Sequence, residues 1–457
     1  MKTNYIFLLA ISVLLNGKFL LSAEYEKIAE KKLFNGEVLS EFKLPNGLKV
    51  IFLPRHEAKV LTFQTWFDIG SLDEKMDTKL KKTGLAHLFE HMMFRGTDKY
   101  PDGKFDELTS RMGSEKQNAT TYFYRTNYYE SVPSNQLKKL LELESDRMAN
   151  LKLDGALLEK EKGAVVGELR RALDNPGRIA WDELNRTVFE VAPFRYTVIG
   201  TEEEIKGFTL EEAQYFYKTF YAPNNATIIV VGDTSEEELM KWIVKYYGDM
   251  KAQEIPRYKM PDEPNQKKER RVEKTHPQAT SDILLVGYRI PAVNSEDIVP
   301  LSLLSTHLST GMEARLRKSL VDTGIAVSAG CGVSNVPDYL EFSVSLSEKH
   351  KAEEALSIID REVSLLKSQM IKKDDFERAL NQELLSLYNM IEDNSSMANM
   401  LGDYLMVSGN YMRGFEIIDQ FKKLKTTDLK AVAKKYLNKE SRSVVIVRPQ
   451  PKKSSRS

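Results

Sequence analysis

The chain has 457 residues, enough for two or three domains, and carries 66 Lys and Arg against 66 Asp and Glu, so its formal charge is zero. That balance leaves no basic footprint for phosphate contacts and excludes a dedicated nucleic-acid binder; 42% hydrophobic and 29% charged residues make a globular composition. A single cysteine, Cys331, excludes intramolecular disulfides and thiolate zinc sites, so metal chemistry has to use carboxylates and six histidines: His56, His87, His91, His276, His307 and His350.

Residues 1–23 read as a secretory signal peptide. Lys2 precedes an apolar run over 5–15, shorter than the roughly 20 residues of a spanning helix, and Ala23 stands before the expected cut. A secreted chain without disulfides fits the bacterial periplasm, and no later apolar stretch predicts stable membrane insertion once the signal is removed. The first half, 24–250, opens with two alternating runs over 38–53 around Pro45-Asn46-Gly47, a hairpin signal. A strand at 60–69 and a polar loop lead to a helix at 84–95 and another at 104–112. Strands at 115–122 and 125–131, helices at 134–150 and 156–173, and a strand at 226–231 follow. Residues 251–274, rich in Pro and charge, read as a linker. The second half, 275–448, repeats the order: strand 281–289, helices 298–308 and 312–320, strands 325–333 and 339–346, helices 351–367, 373–406 and 429–436, strand 443–447. Residues 449–457 read as a disordered tail. The pattern predicts an α+β protein of two homologous halves, each a mixed sheet with helices packed on it.

One constellation stands out, His87-Leu88-Phe89-Glu90-His91. On a helix His87 and His91, at i and i+4, leave the same face one turn apart and can chelate one ion. Glu90 shares that face, close enough to accept a proton from a water at the metal. A catalytic zinc with two His ligands wants a third protein ligand, and without cysteine this has to be a carboxylate. Leu88, Phe89, Met92, Met93 and Phe94 make the segment largely buried, which does not suit two His and a Glu without a shared partner.

HxxEH is the inverted zinc motif, and its surroundings resemble the pitrilysin-type (M16) metallopeptidases, in particular their bacterial processing-peptidase-like branch. The likeness runs from Leu44-Pro45-Asn46-Gly47-Leu48 through the stretch 84–97 and Asn118-Ala119-Thr120-Thr121 to Val230-Val231-Gly232-Asp233. In that family the third ligand is a Glu 76 residues beyond the second His; here 76 residues separate His91 from Glu168. The resemblance thus implies a zinc site of His87, His91 and Glu168, with Glu90 as general base and Glu161, two helical turns before Glu168, tuning it. It also implies a clamshell of the two halves, an edge strand at Asn118 and Ala119 that takes an extended peptide by β-augmentation, and a zinc metalloendopeptidase acting on short or unfolded peptides.

The second half departs from the family pattern. Active relatives carry an Arg and a Tyr in a stretch matching residues 320–327, where Val321 and Val327 stand here; neither side chain can donate a hydrogen bond to a developing oxyanion. Arg315 and Arg317 are nearby substitutes, and the preferred expectation is a division of labour in which a related, M16-like subunit supplies the pair in a heterodimer. A homodimer is the other arrangement. No HxxEH occurs near 301–308, so His307 is expected to be a packing or surface residue rather than a ligand. The competing function is a non-catalytic binding or assembly subunit on the same fold.

Overall fold

The computed structural model describes residues 24–451, so the signal-peptide reading of 1–23 and most of the tail lie outside the described residues. Twelve strands are present among them: β1 (Glu26–Lys32), β2 (Val38–Lys43), β3 (Lys49–Pro54), β4 (Val60–Phe67), β5 (Glu115–Thr121), β6 (Thr126–Pro133), β7 (Ala226–Gly232), β8 (Arg270–His276), β9 (Ile283–Arg289), β10 (Ala326–Asn335), β11 (Asp338–Leu346) and β12 (Arg442–Pro449). The helices of the first half are α1 (Ser71–Met76), α2 (Leu85–Met92), α3 (Lys104–Arg111), α4 (Leu137–Asn150), α5 (Gly155–Leu173), α6 (Pro176–Val188), α7 (Glu202–Lys206), α8 (Leu210–Phe220) and α9 (Glu236–Tyr247). Those of the second are α10 (Ile298–Ser309), α11 (Ala352–Ser368), α12 (Lys373–Glu392), α13 (Asn394–Ser408), α14 (Arg413–Phe421) and α15 (Thr426–Tyr436).

The strands form two mixed sheets, ordered β1-β2-β3-β7-β4-β6-β5 and β10-β11-β9-β12-β8. Read from β5 and from β10 the two orders correspond, and β8 lies parallel to β12 as β3 lies parallel to β7. The second sheet is the first without β1 and β2, so the α+β reading of two homologous halves stands. The hairpin at Asn46-Gly47 forms as the sequence predicts, with Gly47 at a φ of +90°.

Two helices change sides. Each sheet is covered on one face by its own half's helices and on the other by a helix from the opposite half. β7 is buried throughout, which requires cover on both faces. Its Ile228 and Val230 face the core that includes α2, α5 and α8, whereas Ile229 and Val231 meet Met397, Ala398 and Leu401 of α13. Reciprocally, Ala180, Leu184 and Val188 of α6 pack on Leu285 of β9 and on Val445 and Val447 of β12. Close approach explains two glycines: a Cβ at Gly402 of α13 would stand 2.1 Å from the Trp66 ring, and one at Gly287 of β9 would stand 3.1 Å from Leu184 and Val188.

Several elements differ from the sequence reading. The expected helix at 373–406 is two helices, because Asp393 leaves the helical conformation and its carboxylate caps α13 by accepting from Ser396 N at 2.8 Å. The expected helix at 312–320 contracts to a short turn ending in a π-helical segment, Arg317–Val321. The predicted linker 251–274 gives up residues 270–274 to β8, and the predicted tail gives up Pro449 to β12. The rest of that linker is strapped down. Glu263 accepts the N–H groups of Glu190, Val191 and Ala192, and Tyr258 donates to Asp77 at 2.6 Å.

Candidate metal centre

The HxxEH segment lies on α2, eight residues with Leu85, Ala86, Leu88, Phe89 and Met92 buried, which leaves His87, Glu90 and His91 on the face turned to α5. The helix starts at Gly84, whose φ of +101° and whose packing, 2.4 Å from a Cβ to Ile199 O, admit no side chain. Glycine has no capping oxygen, and Glu74 of α1 serves instead: its fully buried carboxylate accepts from Gly84 N at 2.8 Å and from Ala86 N at 2.5 Å. Burial pushes that carboxyl up to about 8 against the pull of those two bonds.

The structure brings three of the predicted residues together. Donor atoms of His87, His91 and Glu168 all lie within 4.8 Å of one another, the one such His, Cys, Asp and Glu group among the described residues. His87 Nε2 is 3.7 Å from one oxygen of Glu168 and His91 Nε2 is 3.4 Å from the other. A tetrahedral zinc with Zn–N and Zn–O bonds near 2.1 Å requires ligand atoms about 3.4 Å apart, and the two His–Glu separations are close to that.

Glu161, one turn pair earlier on α5, is 1% exposed and stands behind His91, 3.8 Å from Nδ1 and 2.8 Å from Arg95 Nε. At that distance its carboxylate faces Nδ1, without a hydrogen bond to the ring, while Nε2 faces Glu168. Glu90 lies by the end of β5, where the Thr121 hydroxyl reaches Ala86 O at 3.5 Å. Asn118 is exposed and Ala119 buried on β5, which is an unpaired edge of the first sheet, and Ala119 N donates to the Asn118 side chain at 2.9 Å.

Burial pushes His87 down to about 4, with the charges of His91 and Arg178 adding to it and Glu168 opposing, which favours the neutral imidazole. Burial raises the Glu90 carboxyl, against the Thr121 hydroxyl. For His91 burial acts downward, but its bond to Glu168 and the charges of Glu168, Glu90 and Glu161 hold it above the ordinary range, and that bond in turn lowers Glu168.

Sequence reasoning missed Glu74 and Arg95. A helix opening on glycine without Ser, Thr, Asp or Asn was the available signal that another residue supplies the cap. In the second half Val327 is 72% exposed at a bulge of edge strand β10, Arg315 is engaged by Glu362 at 2.6 Å, and Arg317 faces Asp322 at 3.4 Å. His307 is buried in α10.

Two mixed sheets with exchanged helices and a His, His, Glu cluster on a helix pair define the fold and donor set of a metallopeptidase-like protein. The profile described as Insulinase (Peptidase family M16) matches residues 49–202, and that described as Peptidase M16 inactive domain matches 207–383. The chain belongs to peptidase family M16. It is 28% identical to the zinc protease PqqE of Helicobacter pylori over 416 residues, 89% of this chain and 92% of that protein. It is 24% identical to the probable mitochondrial-processing peptidase subunit beta of Arabidopsis thaliana, over 89% of this chain and 77% of that one. The crystal structure of a protease from Helicobacter pylori superimposes with a TM-score of 0.85 at 27% identity, covering 90% of this chain and 99% of the other. The first half of the periplasmic protease PqqL from Escherichia coli shares the fold, with a TM-score of 0.74 at 19% identity over 93% of each chain.

Proposed function

We propose that this chain is a zinc-dependent endopeptidase that cuts short or unfolded peptides, with His87, His91 and Glu168 as the ligands. The observation that carries the reading is the convergence of three ligand atoms within 4.8 Å beside a half-buried carboxylate, Glu90. Zinc held there supplies a Lewis acid that makes a water more acidic and polarises a carbonyl. Glu90 does the proton work. Its raised proton affinity suits a base that accepts a proton from the water and returns it to the leaving amine. Glu161 and Arg95 keep His91 oriented, and Glu74 keeps the start of α2 in place. Edge strand β5, at Asn118 and Ala119, offers backbone groups to an extended peptide, which ties binding to main chain rather than to one sequence.

A partner subunit of the same family supplies the Arg and Tyr that stabilise the oxyanion, since Val321 and Val327 cannot and Arg315 is committed to Glu362. The chain works in the bacterial periplasm, in keeping with its N-terminal sequence and with the periplasmic location of its structural neighbour PqqL. Among the described residues no helix is long and apolar enough to cross a membrane.

The test is metal analysis and peptide cleavage by purified residues 24–457, alone and with an M16 chain that carries the Arg and Tyr. About one zinc per chain and chelator-sensitive cleavage that rises with the partner are expected. Zinc far below one per chain would sink the enzyme reading in favour of an assembly subunit. Full activity alone, unchanged by the partner, would contradict the division of labour.

A further inference from the structure

Successive residues of β5 point to opposite faces of the first sheet. Ala119 belongs to the core that includes Leu85 and Phe89, and Thr121 reaches α2, so these residues face the metal side. Thr120 faces the other way. Its hydroxyl bonds Asn127 at 2.6 Å and is met by Arg125, whose Nε lies 3.1 Å from Asp403 of the exchanged helix α13. A peptide added to the free edge of β5 continues this alternation, so every second side chain is turned away from α2 and towards α13.

On that side lies a cavity of about 430 Å³. Its walls come from the β5–β6 turn (Tyr122, Arg125), from α13 (Met400, Tyr404, Val407) and from β10 of the second half (Val333). The volume is that of a small-ligand pocket and holds a large side chain with room to spare. The wall is apolar and aromatic. Its charged groups, Arg125 and Asp403, form an ion pair with each other and present no net charge for a substrate to neutralise. Tyr122 is three residues beyond Ala119, about 10 Å along a strand, which places the cavity two or three peptide positions from the residue opposite Ala119.

We infer that this cavity is a specificity pocket for a large apolar or aromatic side chain of the bound peptide, built jointly by the edge strand and the helix exchanged from the second half. The inference rests on the reading of β5 as the substrate edge. It gives α13 a role beyond covering the sheet: the second half, which brings no ligand to the metal, selects what is presented to it.

The experiment uses residues 24–457 with Glu90→Gln, loaded with zinc so that peptides bind without turnover. Labelled 12-residue Ala/Ser peptides carrying one Phe at each position in turn are titrated by fluorescence anisotropy. Phe at one position is expected to tighten binding about tenfold, as burial of an aromatic side chain allows. Val407→Trp, which fills the cavity, and separately Met390→Trp at its rim, are expected to abolish that preference while the Kd of the all-Ala/Ser peptide stays within about twofold. A Phe preference that survives both Trp variants, or equal weakening of every peptide, overturns the inference alone. Failure of all peptides to bind overturns it together with the reading of β5 beneath it.

Discussion

In the first half, α2 turns two imidazoles towards a carboxylate of α5. In the second, the corresponding α10 turns Thr306 towards Glu383 of α12, and the contact is one hydrogen bond of 2.7 Å. The same helix pair thus frames a cluster of metal-ligating side chains in one half and an ordinary packing contact in the other. Burial is not what separates them. It pushes both His87 and His307 down to about 4, and His307 is the more enclosed, with neither ring nitrogen hydrogen-bonded. The difference is convergence. His87 shares Glu168 with a second imidazole one turn away, whereas His307 is one of ten buried residues of the twelve in α10 and, among the described residues, belongs to no cluster of metal-ligating groups. A neutral buried imidazole becomes a ligand only where other donors meet it at the spacing an ion requires.

The largest effect that could break this comparison is metal loss. His91→Ala or Glu168→Gln is expected to lower zinc from about one per chain to under a tenth and cleavage by at least ~10³-fold, while His307→Leu leaves zinc content intact, all measured by elemental analysis and peptide assay. Zinc retained after His91→Ala, or lost after His307→Leu, would invert the assignment of the two halves. Next, Glu90→Gln is expected to keep the zinc and reduce kcat by ~10²–10⁴-fold. Because a base acts only when unprotonated and burial raises Glu90, wild-type kcat/KM should fall as pH drops through a value above the ordinary Glu pKa of about 4.3, and this limb should be missing in the variant. An acid limb that persists unchanged in Glu90→Gln would assign it to another group.

The exchanged helices sharpen the comparison in stability. Gly402→Ala forces a Cβ against the buried Trp66 ring and is expected to cost ~3 kcal/mol, whereas Gly287→Ala meets only the ends of the Leu184 and Val188 side chains and should cost ~1 kcal/mol. Urea unfolding measures both, and the reverse ranking would mean that α13 is the looser of the two. The smallest effect concerns Glu341 of β11, which burial pushes up to about 7. A carboxyl raised in the folded state stabilises fully below its ordinary pKa, and this contribution is lost as pH rises through about 7. Glu341→Gln should therefore melt a few degrees above wild type at pH 8 and near it at pH 5; equal shifts at both values would show that Glu341 does not titrate with folding.

Local chemistry was legible in the chain. The Asn46-Gly47 hairpin, the runs that became β4, β6 and β11, and the amphipathic α2 and α5 each declare themselves over a few residues. What escaped were elements whose reason for existing is distant. β1 and β8, EKIAEKK and RRVEKTH, lack apolar alternation because they are charged edge strands. The break at Asp393 hid in a long helical pattern that continues on both sides of it. α6 carried an Asn175-Pro176 start signal that was not read, and nothing in its own residues says that its apolar face belongs to the other half's sheet.

The sequence by itself determined the candidate donors: one cysteine removed the thiolates, the i, i+4 spacing put His87, Glu90 and His91 on one helical face, and family resemblance pointed to Glu168 among 66 acidic residues. Only the tertiary structure decided that α2 and α5 bring those atoms within 4.8 Å, that Glu74 supplies the cap Gly84 lacks, and that α6 and α13 exchange sheets. The physical reason is range. Periodicity and capping act within a few turns of chain, whereas packing a doubly buried strand and closing a metal site depend on surfaces that meet only after the chain has folded.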